Sequence, residues 1–275
     1  MKIDLYTRCW NDMHMLGFFF RHYDPLVRRY VVFDDGSTDG SLDFLRASDN
    51  VDVRRMPPDS DPASRIASAT TLLDSCWQES CGSADWVIVT DIDEHLHHAD
   101  DLLGYLLACK ESGVTMVPAL GYEMVSETFP RGDLILCEEL TMGAPSSGMT
   151  KLSIFSPDDI VAVNFRAGRH GAEPTGRVVA PARDEVLLLH YRHLDFERTL
   201  ARHARARARQ RPKDFANHWG YQYSWTRAQF TENWNSLSSH AVDVSDPGLR
   251  PWDTHEGARW WNRYRRREQA EPTTS

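Results

Sequence analysis

The sequence has no apolar run long enough to cross a bilayer. Its most apolar stretch, GFFF at 17–20, falls far short of the roughly 20 residues a span needs. The N-terminal MKIDLYTRCW has no apolar core of a secretory signal, so no signal peptide is expected. Cysteine is scarce and odd in number. Cys9, Cys76, Cys81, Cys109 and Cys137 include no C-x-x-C pair, which argues against a disulfide framework or a zinc site and for a reduced, cytoplasmic setting. There is no excess of positive charge. The net charge of −9 argues against non-specific nucleic-acid binding. Neither a G-x-G-x-x-G nor a P-loop is found, which removes the dinucleotide and Walker-type readings. No internal repeat is seen, and nothing bears on oligomeric state.

What is present is the composition of a soluble globular protein, 41% hydrophobic and 26% charged over 275 residues. IDLY at 3–6 alternates like a strand, and Asn11 and Asp12 then cap a helix with Met15, Leu16, Phe18, Phe19 and Tyr23 on its apolar face. YVVF at 30–33 and VDVRRM at 51–56 are further strands, separated by a turn-rich loop and the helix SLDFLRAS. A helix over 64–80, a fourth strand DWVIVTDID, a helix over 97–113 and a fifth strand over 115–124 follow. This alternation predicts a parallel sheet covered on both faces, with DDGSTD and DIDEH at strand ends on one rim, where such sheets bind ligands. From 125 to 185 the pattern loosens into mixed strand and loop. EVLLLHYRHL at 185–194 is a last strong strand, and a helix follows over 195–211. Beyond GYQYSW at 220–225 the chain reads as irregular, and 268–275 as disordered.

DIDE places three carboxylates in four positions. Acids so close repel unless a cation offsets them or one takes a proton. Mg²⁺ or Mn²⁺ needs only one or two protein carboxylates when a diphosphate supplies other oxygens. A turn with solvated acids and a capping Asp is an equal reading of DIDE alone. In FDDGSTDGS, Asp34 ends a strand and could accept from a base or ribose, or simply form an Asx turn.

Together the two motifs resemble the family 2 glycosyltransferases of GT-A fold. RCWNDMHMLGFFFRHY at 8–23, GYEMVSETFP at 121–130, GRH at 168–170, LLHYRH at 188–193 and WGYQY at 219–223 are similar to a small bacterial subgroup of that kind. The resemblance covers roughly residues 3 to 225. It implies an α/β, nucleotide-diphospho-sugar transferase-like Rossmann-type sandwich with a mainly parallel central sheet and a helical C-terminal extension. The glycosyltransferase domain would be 1–225, with a nucleotide-binding half 1–124 and an acceptor half 125–225, and the extension 226–275.

By the same resemblance Thr7, Arg8, Asp34, Arg65, Asp91 and Ile92 would bind the nucleotide sugar. Asp91, Asp93 and His190 would hold Mn²⁺ or Mg²⁺. One of Glu127, Glu138 and Glu139 would be the base, and Glu94, Lys151 and His170 would touch acceptor or phosphate. Asp35 stands where the subgroup often has Asn. A histidine ending an apolar strand, as His190 does, is also a common core residue. The implied activity is metal-dependent, inverting transfer from a UDP-sugar to an acceptor hydroxyl. A nucleotide-sugar-binding module without turnover is the alternative. A Mg²⁺-dependent phosphohydrolase is disfavoured, because His95 stands where its motif wants Thr or Val. In the helix 195–211, Arg198, Arg202, Arg205 and Arg209 form one stripe. It is either a solvated basic face or a surface for an anionic partner such as the diphosphate. Trp219, Tyr221, Tyr223 and Trp225 could stack on a sugar.

Overall fold

The computed structural model describes residues 1–265, so the stretch 268–275, expected to be disordered, lies outside the described residues. The chain begins β1 (Ile3–Cys9), α1 (Met13–Tyr23), β2 (Arg29–Asp34), α2 (Ser41–Arg46), β3 (Val51–Arg55), α3 (Arg65–Ser75) and β4 (Trp86–Val89). The β-branched and aromatic runs of β1, β2 and β4 are buried almost throughout, as strands covered on both faces should be. The apolar face of α1 buries Met15, Leu16, Phe18, Phe19, Phe20 and Tyr23. Ser64 caps α3 by accepting from Ala67 N.

Then come β5 (Glu94–His98), α4 (Leu102–Glu111), β6 (Met116–Ser126), α5 (Leu136–Glu139), β7 (Met142–Pro145), β8 (Lys151–Phe155), β9 (Ile160–Ala162) and β10 (Thr175–Gly176). The chain closes with β11 (Val186–Leu194), α6 (Phe196–Ala208), α7 (Pro212–Ala216), α8 (Arg227–His240) and β12 (Val242–Asp243). The main sheet runs β12-β7-β6-β8-β4-β1-β2-β3, with β11 paired to β5 and β6. Strands β1, β2, β3, β4, β6, β11 and β12 point one way, and β5, β7 and β8 the other. The expected α/β architecture with a mainly parallel sheet is therefore present, its parallel block being β3-β2-β1-β4.

Three elements differ from the sequence reading. The fourth strand stops at Val89, and EHLHH forms β5 instead of leading into a helix. Its charged and imidazole side chains mask the strand signal. The helix expected from 97 starts at Leu102, because Asp101 accepts from Leu103 N and Gly104 N as its cap. The stretch read as irregular contains α8, opened by a capping box between Thr226 and Gln229 and anchored by buried Phe230 and Trp234. Among the described residues no helix is long and apolar enough to cross a membrane.

Candidate active site

Strand register sets the site. Cys9 of β1 lies opposite Asp34 of β2, which lies opposite Arg55 of β3, and Tyr6 lies opposite Val89. The carboxyl ends of four parallel strands thus share one rim. Three cavities lie in a row along it. The first, about 500 Å³, is bounded by Asp34, Gly36, Pro57 and Pro58. The second, about 250 Å³, has Asp12, Asp91, Ile92 and Asp93 in its walls, and shares Asp35, Asp59 and Arg65 with the first. The third, about 550 Å³, shares Arg8, Asp91, Arg192 and Tyr223 with the second.

The three acids after β4 are each matched to cations. Asp91 accepts from Arg8 at 2.9 Å and from Arg169 at 3.2 Å. Asp93 accepts from Arg202 at 2.8 Å, and its Oδ2 lies 3.4 Å from His190 Nε2. Glu94 accepts from Arg169 at 2.6 Å and is bonded to Lys151. Burial opposes ionisation of all three. Even so, Arg8 and Arg169 hold Asp91 below the usual carboxylate range, Arg202 and His190 hold Asp93 there, and Arg169 and Lys151 hold Glu94 there. The repulsion inherent in D-x-D-E is offset by side chains brought from distant parts of the chain, Arg8 before it and Lys151, Arg169, His190 and Arg202 after it.

Sheet geometry builds the histidine pair beside them. In the ladder His190 of β11 lies between Glu94 of β5 and Glu123 of β6. Its Nδ1 lies 2.8 Å from Glu123 Oε2. The register shifts between His190 and His193. In a regular strand residues three apart face opposite sides, but the irregularity lets His193 Nδ1 also reach Glu123 Oε2, at 3.1 Å. Burial would lower the His190 pKa, yet Glu123 and Asp93 raise it to about 9.

The arginine stripe faces the cleft. Asp195 caps α6 by accepting from Arg198 N at 3.1 Å. From there Arg198 packs over the Phe129 ring, Arg202 reaches Asp93, Arg205 lines the second cavity, and Arg209 bonds Asp35 while lying 3.7 Å over Trp10. Arg65 also bonds Asp35. Burial, with Arg209 and Arg211 nearby, lowers the Arg65 pKa to about 10. The cations around Asp35 thus outnumber its single charge, which suits an added anion.

Several expected residues are placed otherwise. Thr7 is fully buried, donates to the Arg8 carbonyl and lines none of the three cavities. Asp34 lines the first cavity, but its oxygens accept from Gly36 N and Ser37 N, so it shapes its own turn. Glu127, Glu138 and Glu139 are exposed and line no cavity in the row. A base must come within reach of the acceptor proton, and these three stand outside the cleft. Lys151 is buried and committed to Glu94, whereas His170 is exposed at the edge of the third cavity.

Four residues escaped the sequence reading as site residues. Arg169 sits between Gly168 and His170 at φ 63°, where non-glycine residues are uncommon, and donates to Val89 O, Asp91 and Glu94. Its place in the GRH segment was its only signal. Asp12 was expected only as a helix cap. Its side chain instead accepts from Trp10 N, and burial raises its pKa to about 6 against the pull of Arg202. Glu123 and His193 likewise had only their places in the GYEMVSETFP and LLHYRH segments as a signal.

The same geometry tests the expected divalent ion. Among the described residues no three His, Cys, Asp or Glu side chains are arranged to hold a metal ion, so Asp91, Asp93 and His190 do not gather as one set. Asp93 and His190 do converge. Glu123 fixes His190 Nδ1 and leaves Nε2 turned toward Asp93, as the outer partners of histidine ligands do. Two protein ligands suffice for Mg²⁺ or Mn²⁺ when phosphate oxygens complete the shell. The ion would have to release the His190 proton and displace Arg202.

No protein-family model matches the chain, and no curated protein sequence does. Among solved structures it is similar to glucosyl-3-phosphoglycerate synthase from Mycobacterium tuberculosis, in complex with Mn²⁺, UDP and phosphoglyceric acid. The likeness is 17% identical, covers 44% of this chain and 43% of that one, and has a TM-score of 0.30. It is also similar to the galactosyltransferase LgtC in complex with donor and acceptor sugar analogs (11% identity, 56% and 58% covered, TM-score 0.31). A third is 4-diphosphocytidyl-2C-methyl-D-erythritol synthase (14%, 57% and 76%, 0.30). The chain thus spans less than half the length of the mycobacterial synthase, and these likenesses concern the fold.

Proposed function

We propose that the protein is a glycosyltransferase that takes a sugar from a nucleoside diphosphate, with UDP as the preferred carrier. The observation that carries this reading is the row of three cavities on the strand-end rim. The first is sized for a nucleoside and the third for a sugar and its acceptor, with a charged passage between them. In the passage Arg8, Arg65 and Arg209 would hold the diphosphate, with Asp91 keeping the Arg8 guanidinium in place and Asp35 those of Arg65 and Arg209, and Arg202, displaced from Asp93 by the ion, would join them. Asp93 and His190 would hold Mn²⁺ or Mg²⁺, and that ion would add positive charge against the leaving diphosphate.

In the transfer, the bond between the sugar's anomeric carbon and the phosphate oxygen breaks. A bond to the acceptor oxygen forms, the nucleoside diphosphate leaves with the electron pair, and the acceptor proton would pass to a carboxylate on the third cavity, for which Glu123 is the candidate. Oriented cations stabilise charge developing on the leaving group. Glu123, which faces the third cavity with His190 and His193, is proposed as the base in place of the exposed Glu127, Glu138 and Glu139.

The test is a thermal-shift and hydrolysis panel of nucleotide sugars, with and without Mn²⁺. A UDP-sugar that stabilises the protein and is slowly hydrolysed supports the proposal, since ligand stabilisation follows mass action. Stabilisation without any turnover, with every acceptor tried, favours a binding module. No stabilisation by any nucleotide removes the reading.

A further inference from the structure

We infer that the third cavity is a binding site for a neutral carbohydrate, the acceptor of the proposed transfer; this deepens that reading and rests on it. At about 550 Å³ it is in the range of small-ligand sites. Its outer wall is the segment between α7 and α8, where Trp219, Tyr221 and Trp225 face the cavity beside the amide of Gln222, with that of Asn233 on α8 next to them. Tyr221 is 62% exposed. Tyr221 and Trp225 meet edge to face at 5.7 Å, so the two rings already brace each other in a corner. Flat aromatic faces beside amide donors and acceptors match a pyranose ring, which offers an apolar C–H face and a rim of hydroxyls.

A second, independent feature points into the same space. His203 is 4% exposed, lines the cavity and has an Nε2 with no hydrogen-bond partner among the described residues. A buried, unmatched polar atom is costly, and a ligand hydroxyl would satisfy it.

The charges of the inner wall are largely spent on one another. Asp91 is held by Arg8 and Arg169, Glu94 by Lys151 and Arg169, and Glu123 by His190 and His193. Arg192 donates to Tyr223 Oη at 3.0 Å, and its Nε lies 3.8 Å from Asp93 Oδ2. The surface left for a ligand is aromatic and neutral-polar, which favours an uncharged sugar over a phosphorylated one.

Saturation-transfer NMR on the full chain tests this with methyl α-D-glucopyranoside, methyl α-D-mannopyranoside, methyl β-D-galactopyranoside and glucose 6-phosphate. Nucleotide binding is followed separately by thermal shift. The expected result is transfer to ring protons of a neutral methyl glycoside. That signal should fall about fivefold or more in both Trp219→Ala and Tyr221→Ala, while the UDP-induced shift is kept. The exposed position of Tyr221 makes its variant safe for folding. Transfer to no neutral glycoside, transfer to glucose 6-phosphate alone, or a signal that survives both substitutions overturns the assignment. If UDP gives no shift but the aromatic-dependent glycoside signal persists, the carbohydrate site stands and the donor reading fails.

Discussion

The Arg202 guanidinium lies 2.8 Å from Asp93 Oδ2, on the carboxylate proposed above to hold a divalent ion. On that proposal one negative group would face two rival cations, one covalently part of α6 and one from solution. Arg202 also reaches toward Asp12, at 3.6 Å, so it ties α6 to the carboxyl end of β1.

Removing this rival should strengthen metal binding. Arg202→Gln is expected to raise the affinity for Mn²⁺ about tenfold in the absence of nucleotide, a difference of about 1.4 kcal/mol. Electron paramagnetic resonance of free Mn²⁺ measures it. Equal affinities in variant and parent would show that Arg202 does not compete for Asp93.

The buried cluster of Glu94, Lys151 and Arg169 predicts a stability effect. Arg169→Met leaves Glu94 with one cation and Asp91 with Arg8 alone. Breaking such a buried pair costs about 3–5 kcal/mol. Urea unfolding should show a loss of that size, and a loss below about 1 kcal/mol would mean that Lys151 and Arg8 suffice.

Asp12 predicts a pH dependence. Its folded-state pKa is raised to about 6 from 3.8, chiefly by burial. The folded state therefore binds this proton more tightly than the unfolded chain. The associated stability is full below about pH 4 and is lost as pH rises through 6. Asp12→Asn removes the titration. The stability of the variant relative to the parent should be higher at pH 8 than at pH 4 by about 2 kcal/mol, read from urea unfolding at each pH. A pH-independent difference would place the Asp12 pKa at its ordinary value.

Gly121 in β6 predicts a steric effect. A Cβ there would meet the Met149 carbonyl carbon at 2.3 Å and its oxygen at 2.6 Å, and backbone cannot step aside as a side-chain tip can. Gly121→Ala should cost about 3 kcal/mol. Gly148→Ala, whose Cβ would meet only Ser146 Oγ at 3.9 Å, should stay within about 0.5 kcal/mol.

Legibility followed the physics of each element. The strands β2 and β4 are runs of β-branched and aromatic residues, β1 alternates apolar and polar residues, and α1 has an apolar stripe at helical spacing, so local pattern suffices for them. β5 fails that test because Glu94, His95 and His97 are polar letters. Glu94 and His95 are nevertheless buried, Glu94 by ion pairing and His95 among the rings of Phe19, His22, Tyr23 and Tyr191. Glu127, Glu138 and Glu139 were candidate bases because they fall in the region where the enzymes of the resemblance carry one, and sequence position does not say which way an acid faces.

By itself the sequence determined the β-α alternation, the two acidic strand ends on one rim and the arginine stripe of α6, because all three are local periodicities. Tertiary structure alone decided which cation meets which acid. The partners Lys151–Glu94, Arg169–Asp91, Arg8–Asp91 and Arg202–Asp93 are 57, 78, 83 and 109 residues apart. Charge pairing depends on distance in space, and only the folded sheet, with α6 laid across its rim, sets those distances.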